Sequence, residues 1–91
     1  MQFDWDSAKA KSNLAKHSVP FEAAIGVFDD PFGYETRDDR EAYGEERFVA
    51  VGMVVGVLLW VVYTERDGRI RLISARRATR KEQDDYFGQI A

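Results

Sequence analysis

The sequence of 91 residues contains no cysteine and a single histidine, His17. Without thiols the chain forms neither disulfides nor thiolate–metal bonds, and one imidazole supplies too few ligands for an ordinary structural zinc site. The longest apolar run, residues 54–63, has ten residues and is too short to cross a bilayer as a helix. The first residues lack the basic and apolar segments of a signal peptide. We therefore expect a cytoplasmic protein with no membrane partner, no metal and no cofactor.

Size and composition favour a single folded domain over residues 1–91. Hydrophobic residues make up 45% of the chain, which is ordinary for a globular protein and too high for a disordered one. A domain this small has one modest core, so we expect limited stability unless a partner adds buried surface.

Charge is distributed unevenly along the chain, although the net charge is only −3. Residues 29–46 hold eight acidic and two basic residues, a net charge of −6, whereas residues 65–82 hold seven basic and three acidic residues, a net charge of +4. An acidic average disfavours indiscriminate binding to nucleic acid, but a local basic segment still attracts phosphate. The basic segment therefore leaves a local RNA site open.

The pattern of apolar residues predicts an α+β domain, with two N-terminal helices packed on an antiparallel sheet of about four strands and a short C-terminal helix. Phe3 and Trp5 flank Asp4 as in a short edge strand, and Asp4 or Asp6 can cap a helix over residues 7–16. The remaining predicted elements are a helix over residues 21–28, an edge strand at 34–36 followed by a loop to 44, strands at 45–53, 57–66 and 69–77, and a helix that starts at the capping box of residues 79–82.

The dipeptide Asp67-Gly68 indicates a two-residue hairpin turn, because such turns need positive φ at both positions. The resulting register places Arg66 opposite Arg69, Thr64 opposite Arg71, Tyr63 opposite Leu72 and Trp60 opposite Ala75. A second pairing, of Met53 with Leu58, is expected in the preceding hairpin.

This register predicts which side chains share a face of the sheet, because side chains alternate along a strand. The expected floor for the N-terminal helices carries Phe48, Ala50, Val61, Tyr63, Ile70 and Leu72. The other face, expected to be free of helices, carries Arg47, Arg66, Arg69, Arg71 and Arg77. In a regular strand Arg76 points to the helix-covered face, unless a bulge reorients it.

The arginines have two interpretations. Each can pair with a carboxylate of the chain, for which Glu45, Glu46 and Glu65 are available. Alternatively, several cations on one uncovered face repel one another unless an anionic ligand such as an RNA backbone offsets the repulsion. His17 has a structural interpretation as well, because a lone histidine at a helix end is often a cap or a core contact.

Five spaced segments resemble one family of bacterial proteins, the BrnT ribonuclease toxins of type II toxin–antitoxin systems. They are W-D-x-x-K-x-x-x-N-x-x-K-H at residues 5–17, F-E-A-A-x-x-V-F-D-D-P at 21–31, E-E-R-F-V-A-V-G at 45–52, T-E-R-D-G-R-I-R at 64–71 and I-S-A-R-R-A-T-R-K-E at 73–82. The resemblance implies a RelE-like fold with the active site on the sheet face away from the helices. It also implies RNA cleavage and neutralisation by a BrnA-like antitoxin with a ribbon-helix-helix domain. Operator DNA would be reached only through that antitoxin, in a complex that can contain a toxin dimer.

RNA cleavage without a metal needs a base for the 2′-hydroxyl, cations for the phosphate and an acid for the leaving 5′-oxygen. Arginine suits the second task because its planar fork matches two phosphate oxygens. We assign this task first to Arg76 and Arg66, which lie inside segments that resemble the family, and then to Arg47. The candidates for base or acid are His17 and Glu65. The residues expected to hold the RNA backbone are Lys16, Arg69, Arg71 and Arg77.

Two other functions fit the same sequence. One is a non-catalytic module that pairs with the antitoxin and acts only in autoregulation on DNA. The other is a generic anion-binding domain, which would bind no neighbouring ribbon-helix-helix protein.

Overall fold

Helices and strands follow one another in the order expected of an α+β protein, in a computed structural model that describes residues 1–40 and 44–90. The strands are β1 (Phe3–Asp4), β2 (Tyr34–Arg37), β3 (Phe48–Val54), β4 (Val57–Arg66) and β5 (Arg69–Arg77). The helices are α1 (Ser7–His17), α2 (Phe21–Ala24), which continues as a 3₁₀ helix (Ile25–Asp29), and α3 (Arg80–Ile90). The predicted fold class is confirmed, and the loop expected after β2 lies partly outside the described residues, at 41–43.

The strands of the described chain form one mixed sheet in the order β1-β5-β4-β3-β2. Every neighbouring pair is antiparallel except β1 and β5, which run parallel with Phe3 beside Ile70. The expected edge strand near Phe3 is therefore confirmed, and the sheet has five strands with one parallel pair where an antiparallel sheet of about four strands was expected. The sequence of the two-residue strand β1 does not indicate its direction, because that direction depends on which distant sheet edge the strand joins.

The N-terminal helices begin and end on local signals. The Asp6 carboxylate accepts the Lys9 amide at 3.0 Å as the cap of α1, and Ser18, in the left-handed conformation, ends that helix. The helix predicted over residues 21–28 begins at Phe21 but tightens into the 3₁₀ helix after Ala24. No helix in the described part of the chain has the length and apolar character needed to span a membrane.

The core lies between the N-terminal helices and one face of the sheet, as predicted. Phe21 and Val61 are fully buried there, beside Tyr63 and Leu72. The 3₁₀ helix approaches β3 so closely that a Cβ at Gly52 would lie 2.6 Å from the carbonyl oxygen of Val27. Only glycine permits this contact, which sets the distance between helix layer and sheet.

The opposite face is partly covered as well. Tyr86 of α3 packs with Val49, Val51, Leu58 and Val62 in a second apolar cluster. The prediction of a helix-free face is therefore wrong at this end of the sheet. The helix that begins at residue 80 packs against this face of the sheet, where the side chain of Tyr86 is buried.

Both hairpins turn through two residues with positive φ, the signature of type I′ turns. The Asp67-Gly68 turn is confirmed and pairs Arg66 with Arg69, Thr64 with Arg71 and Tyr63 with Leu72. The expected pairing of Met53 with Leu58 is also confirmed, around a turn at Val55-Gly56.

A bulge in β5 changes the register beyond Leu72. Tyr63 pairs with Leu72, but the preceding residue Val62 pairs with Ser74, so Ile73 is an extra residue on β5. Trp60 consequently lies opposite Arg76, and its predicted pairing with Ala75 is wrong. One inserted residue exchanges the faces of every side chain that follows it.

The strand beyond the bulge is held by Asn13 of α1. Its side-chain amide donates to the carbonyl oxygens of Ala75 at 2.9 Å and Val19 at 3.0 Å, and its oxygen accepts the Ala75 amide at 3.0 Å. β1 pairs only with the start of β5, so this side chain takes the place of a neighbouring strand at residue 75. Asn13 is buried, and its three bonds join helix, following turn and sheet edge.

Replacing Asn13 with alanine is expected to lower the free energy of unfolding by about 2–4 kcal/mol, because three buried backbone groups lose their partner. Urea denaturation measures this change, and hydrogen exchange should show faster exchange of the Ala75 amide. Lys11→Ala, an exposed change on the same helix, is the control and should lie within about 0.5 kcal/mol of the wild type. Equal stabilities of the two variants would contradict the role of Asn13.

Candidate functional site

Five arginines share the sheet face opposite α1 and α2, which we call the arginine face. Its members are Arg47, Arg66, Arg69, Arg71 and Arg76. The bulge brings Arg76 onto this face and turns Arg77, which pairs with Leu59, to the helix side. The sequence-based placement of these last two residues is therefore wrong and has to be exchanged.

At the end of the arginine face next to the β4–β5 hairpin turn, one carboxylate lies between two guanidinium groups. Glu45 Oε1 is 3.0 Å from Arg66 Nη2, and Glu45 Oε2 is 3.6 Å from Arg47 Nη2. Arg47 is held at the start of β3, where its carbonyl oxygen accepts the Asp38 amide, while Thr64 Oγ1 donates to the carbonyl oxygen of Glu46. We call Glu45, Arg47 and Arg66 the Glu45 triad; it combines a proton acceptor with two guanidinium groups, whose planar fork matches phosphate oxygens.

A second carboxylate serves the neighbouring arginines. Asp4 Oδ1 is 3.2 Å from Arg71 Nη1, and Asp4 Oδ2 is 3.9 Å from Arg69 Nη1. These arginines thus pair with carboxylates of the chain, as one of the two interpretations expected. Glu45 was an expected partner, and Asp4 was not. Such half-exposed pairs contribute only about 0–1 kcal/mol each. Two carboxylates facing four guanidinium groups leave this end of the arginine face positive.

At the other end, Arg76 is held by Glu82 of α3. Arg76 Nη1 and Nη2 donate to the two Glu82 oxygens at 2.8 and 2.9 Å, and the guanidinium carbon lies 4.9 Å from the centre of the Trp60 ring. Glu82 also accepts the Thr79 amide, and Thr79 Oγ1 accepts the Glu82 amide. The predicted capping box is therefore confirmed, and the same carboxylate fixes Arg76.

The contacts of Arg76 leave one edge of its guanidinium available. Nη1 uses both of its hydrogens, on Glu82 and on the Arg77 carbonyl oxygen, and Nη2 uses one on Glu82. No hydrogen bond within the described chain uses Nε–H or the second hydrogen of Nη2. These two donors form the other fork of the guanidinium group, which matches a phosphate in bidentate geometry.

Arg66 and Arg76 are far apart on this face. Arg76 lies opposite Trp60, six residues along β4 from Arg66, which corresponds to about 20 Å of extended strand. The structure therefore does not bring the two first-choice arginines to one phosphate. Arg66 lies beside Arg47, and Arg76 lies apart from both of them.

The remaining sequence candidates lie on other surfaces. His17 and Lys16 line a groove of about 260 Å³ between α1 and the β5 edge, together with Lys9, Ser12, Asn13, Ile73 and Ser74. Glu65 pairs with Ile70 and therefore lies on the helix side of the sheet, where it is exposed. Within residues 1–40 and 44–90, no three histidine or carboxylate side chains are grouped so that they would hold a metal ion.

The hydroxyl of Tyr86 fastens α3 to the arginine side of the sheet. Tyr86 Oη donates to Asp30 Oδ2, which also accepts the Met53 amide at 2.7 Å. Burial and the Asp30 carboxylate raise the pKa of Tyr86 to about 12. Burial also works to raise the pKa of Asp30, but hydrogen bonds from Tyr86, Met53 and Phe32 outweigh it and lower that pKa. The anchor therefore stays a neutral phenol on a charged carboxylate over the physiological range.

The arginine face combines guanidinium groups, which match phosphate oxygens, with carboxylates that can accept a proton, so its chemistry fits the class of proteins that bind and cleave RNA. Comparison with known families agrees with this class. The chain matches, over residues 5–82, the family of BrnT ribonuclease toxins of type II toxin–antitoxin systems. The match covers most of the chain, so the chain belongs to this family, and the family implies a protein antitoxin as partner. No curated protein matches the chain.

Glu45 is the residue that sequence reasoning missed as a functional candidate. It was considered only as an ion-pair partner, although it stands two positions before Arg47 in the segment E-E-R-F. Its contact with Arg66, 21 positions away, depends on the pairing of β3 with β4. The expected register of that hairpin contained the signal, because it placed Arg47 opposite Thr64 and thus beside Arg66.

Glu82→Gln is expected to lower the free energy of unfolding by about 1–2 kcal/mol at pH 7, because it breaks the charge-assisted bonds to Arg76. Burial raises the pKa of Glu82, but the bonds from Arg76 and Thr79 outweigh it, and the pKa lies below its ordinary 4.5. This stabilisation is complete above about pH 5 and is lost as pH falls through the lowered pKa. The gap between wild type and variant, measured by urea denaturation, should therefore shrink towards pH 3.

Asp84→Asn is the matched control, since Asp84 is an exposed carboxylate of the same helix paired with Arg80. Its effect should stay within about 0.5 kcal/mol at both pH values. A gap for Glu82→Gln that does not change with pH would contradict the electrostatic origin of the stabilisation.

Proposed function

We propose that this chain, acting as one toxin domain, is an endoribonuclease that cleaves RNA without a metal ion and so inhibits translation and growth in the cytoplasm. The observation that carries the proposal is the Glu45 triad, in which one carboxylate lies 3.0 Å from Arg66 and 3.6 Å from Arg47. A base and two permanent cations supply two of the three functions that cleavage at a 2′-hydroxyl requires, and water supplies the third, the proton for the leaving oxygen.

In the proposed reaction Glu45 accepts the proton of the RNA 2′-hydroxyl. The 2′-oxygen forms a bond to the adjacent phosphorus while the bond from phosphorus to the 5′-oxygen breaks, and the leaving oxygen takes a proton from water. The products are a 2′,3′-cyclic phosphate and a 5′-hydroxyl end. Arg66 and Arg47 bind the phosphate and stabilise the charge that develops on its oxygens in the transition state.

Glu45 contacts both guanidinium groups before RNA binds, which orders the triad but also occupies the phosphate donors. Arg66 is half exposed, so its side chain can turn from Glu45 to a phosphate at little cost. The same exchange frees the carboxylate for the 2′-hydroxyl. Substrate entry thus converts an ion pair within the chain into a base and a phosphate clamp.

The other cations of the arginine face bind neighbouring phosphates. Arg69 and Arg71 flank the triad at the start of β5, and the available fork of Arg76 receives a phosphate about 20 Å further along the strand direction. The groove beside His17 and Lys16 extends the basic surface past the β5 edge. The roles of Glu65 and His17 in proton transfer stay predictions. Both side chains lie away from the arginine face, which favours Glu45 for that task.

The partner in this proposal is a BrnA-like antitoxin with a ribbon-helix-helix domain. Its DNA-binding domain would bring the complex, with a toxin dimer, to operator DNA and repress the operon. Family membership supports a protein antitoxin; the ribbon-helix-helix type and the dimer are part of the proposal.

Purified wild-type protein is expected to cleave a fluorescent single-stranded RNA in the presence of EDTA, and a 2′-deoxy nucleotide at the cleavage position should stop the reaction. Arg66→Ala should slow cleavage by about 10²–10³-fold, as expected for loss of a transition-state charge donor. Glu45→Gln should slow it by about 10²–10⁴-fold, because an amide does not accept the proton. Time courses on denaturing gels measure these rates.

Glu46→Gln is the matched control, since Glu46 is the next carboxylate in the chain but pairs with Arg37. It should cleave at nearly the wild-type rate. Intact RNA with folded wild-type protein would contradict the nuclease and support the non-catalytic binding module. Full activity of Glu45→Gln would show that another residue acts as the base.

A further inference from the structure

The tip of the β3–β4 hairpin breaks a local rule of the fold. Val55 occupies the first position of the type I′ turn with φ of +46°, a conformation that β-branched residues rarely adopt, and its side chain is 99% exposed. Asparagine or aspartate normally stands there, as Asp67 does in the second hairpin. Valine at this position costs stability and gains no contact within the described chain, which is typical of residues retained for function.

Apolar surface surrounds the tip on both sides of the sheet. On the helix side a groove of about 200 Å³ is lined by Val19, Pro20, Ala23, Val55, Val57 and Leu59. On the arginine side a second groove, of about 260 Å³, is lined by Met53, Val57, Leu58, Gln83 and the half-exposed Phe87. Contiguous exposed apolar surface of this kind marks protein-binding sites.

One cation lies between the two grooves. Arg77 lines both of them, and its side chain makes no ion pair or hydrogen bond with any described residue. Each arginine of the arginine face contacts a carboxylate, and Arg77 differs from them in this respect. A lone guanidinium surrounded by apolar side chains is complementary to a carboxylate that arrives with apolar neighbours.

We propose that this hairpin surface, formed by Val55, Val57, Phe87, Arg77 and the two grooves, is the docking site for the antitoxin. The occupant is an amphipathic antitoxin segment that places bulky apolar side chains in the grooves, on either side of Val55, and one carboxylate on Arg77. The inference rests on the proposed function for the existence of that partner. It assigns antitoxin binding to the end of the molecule away from the Glu45 triad.

RNA is the poorer occupant of this surface, because its backbone would find a single cation among apolar side chains. A second copy of this chain is a further alternative, since the grooves are apolar. Self-association of the free protein in solution would identify that occupant.

The test uses three full-length variants and a purified BrnA-like antitoxin with a ribbon-helix-helix domain. Val55→Asn should raise the urea midpoint, since asparagine tolerates positive φ, and at the same time weaken antitoxin binding about tenfold or more. Arg77→Ala should weaken binding about tenfold. Leu14→Asn, which removes a half-exposed apolar side chain on α1, is the control and should bind like the wild type. Calorimetry or fluorescence anisotropy measures the dissociation constants.

Val55→Asn and Leu14→Asn are expected to cleave RNA at the wild-type rate, because they lie away from the Glu45 triad. Unchanged antitoxin affinity of Val55→Asn and Arg77→Ala, with cleavage intact, would overturn the docking site and leave the nuclease standing. Loss of self-association in Val55→Asn, with antitoxin affinity unchanged, would assign the surface to a second copy. Absence of cleavage in the wild type with normal antitoxin binding would overturn the nuclease alone.

Discussion

Three hydrogen bonds of the buried Asn13 side chain hold the part of β5 that carries Arg76 and Arg77. β5 contains a bulge at Ile73, and beyond the point where β1 ends only β4 pairs with it, so its other edge has no strand neighbour. Asn13 bonds to that edge by pairing with both backbone groups of Ala75. Arg76 and Arg77 follow Ala75 directly. Arg76 lies on the arginine face, and Arg77 lies near the tip of the β3–β4 hairpin.

The acidic composition of the chain is compatible with the proposed RNA site because several carboxylates are paired with the arginines of that face. Glu45 and Asp4 each hold two arginines at the hairpin end, and Glu82 holds Arg76 at the other. Such pairs limit repulsion between the cations in the free protein, yet exposed pairs are weak enough for a phosphate to replace them. The same three carboxylates serve different purposes: Glu45 as the proposed base, Asp4 as a counter-ion, and Glu82 as helix cap and support.

Local signals in the sequence predicted most of the architecture, and long-range pairings account for what it missed. The turn at Asp67-Gly68 and the box at Thr79–Glu82 each depend on a few adjacent residues, and both are confirmed. Beyond the bulge, Ala75 is bonded to Asn13, 62 positions away, and α3 is bonded over the sheet through Tyr86 and Asp30, 56 positions apart. Neither contact has a pattern within any short window, so Arg76 and Arg77 were assigned to each other's faces. The triad was missed for the same reason, since Glu45 and Arg66 meet only across strands.

The most direct measurement is a crystal structure of the protein with a short RNA that carries a 2′-fluoro group at the cleavage position and is therefore bound but not cut. The account requires one phosphate within hydrogen-bonding distance of Arg66 and Arg47, the 2′-position of the preceding sugar facing the Glu45 carboxylate, and a further phosphate on the Nε and Nη2 edge of Arg76. RNA that lies on the helix side near Glu65, with no phosphate at Arg66 and Arg47, would contradict it.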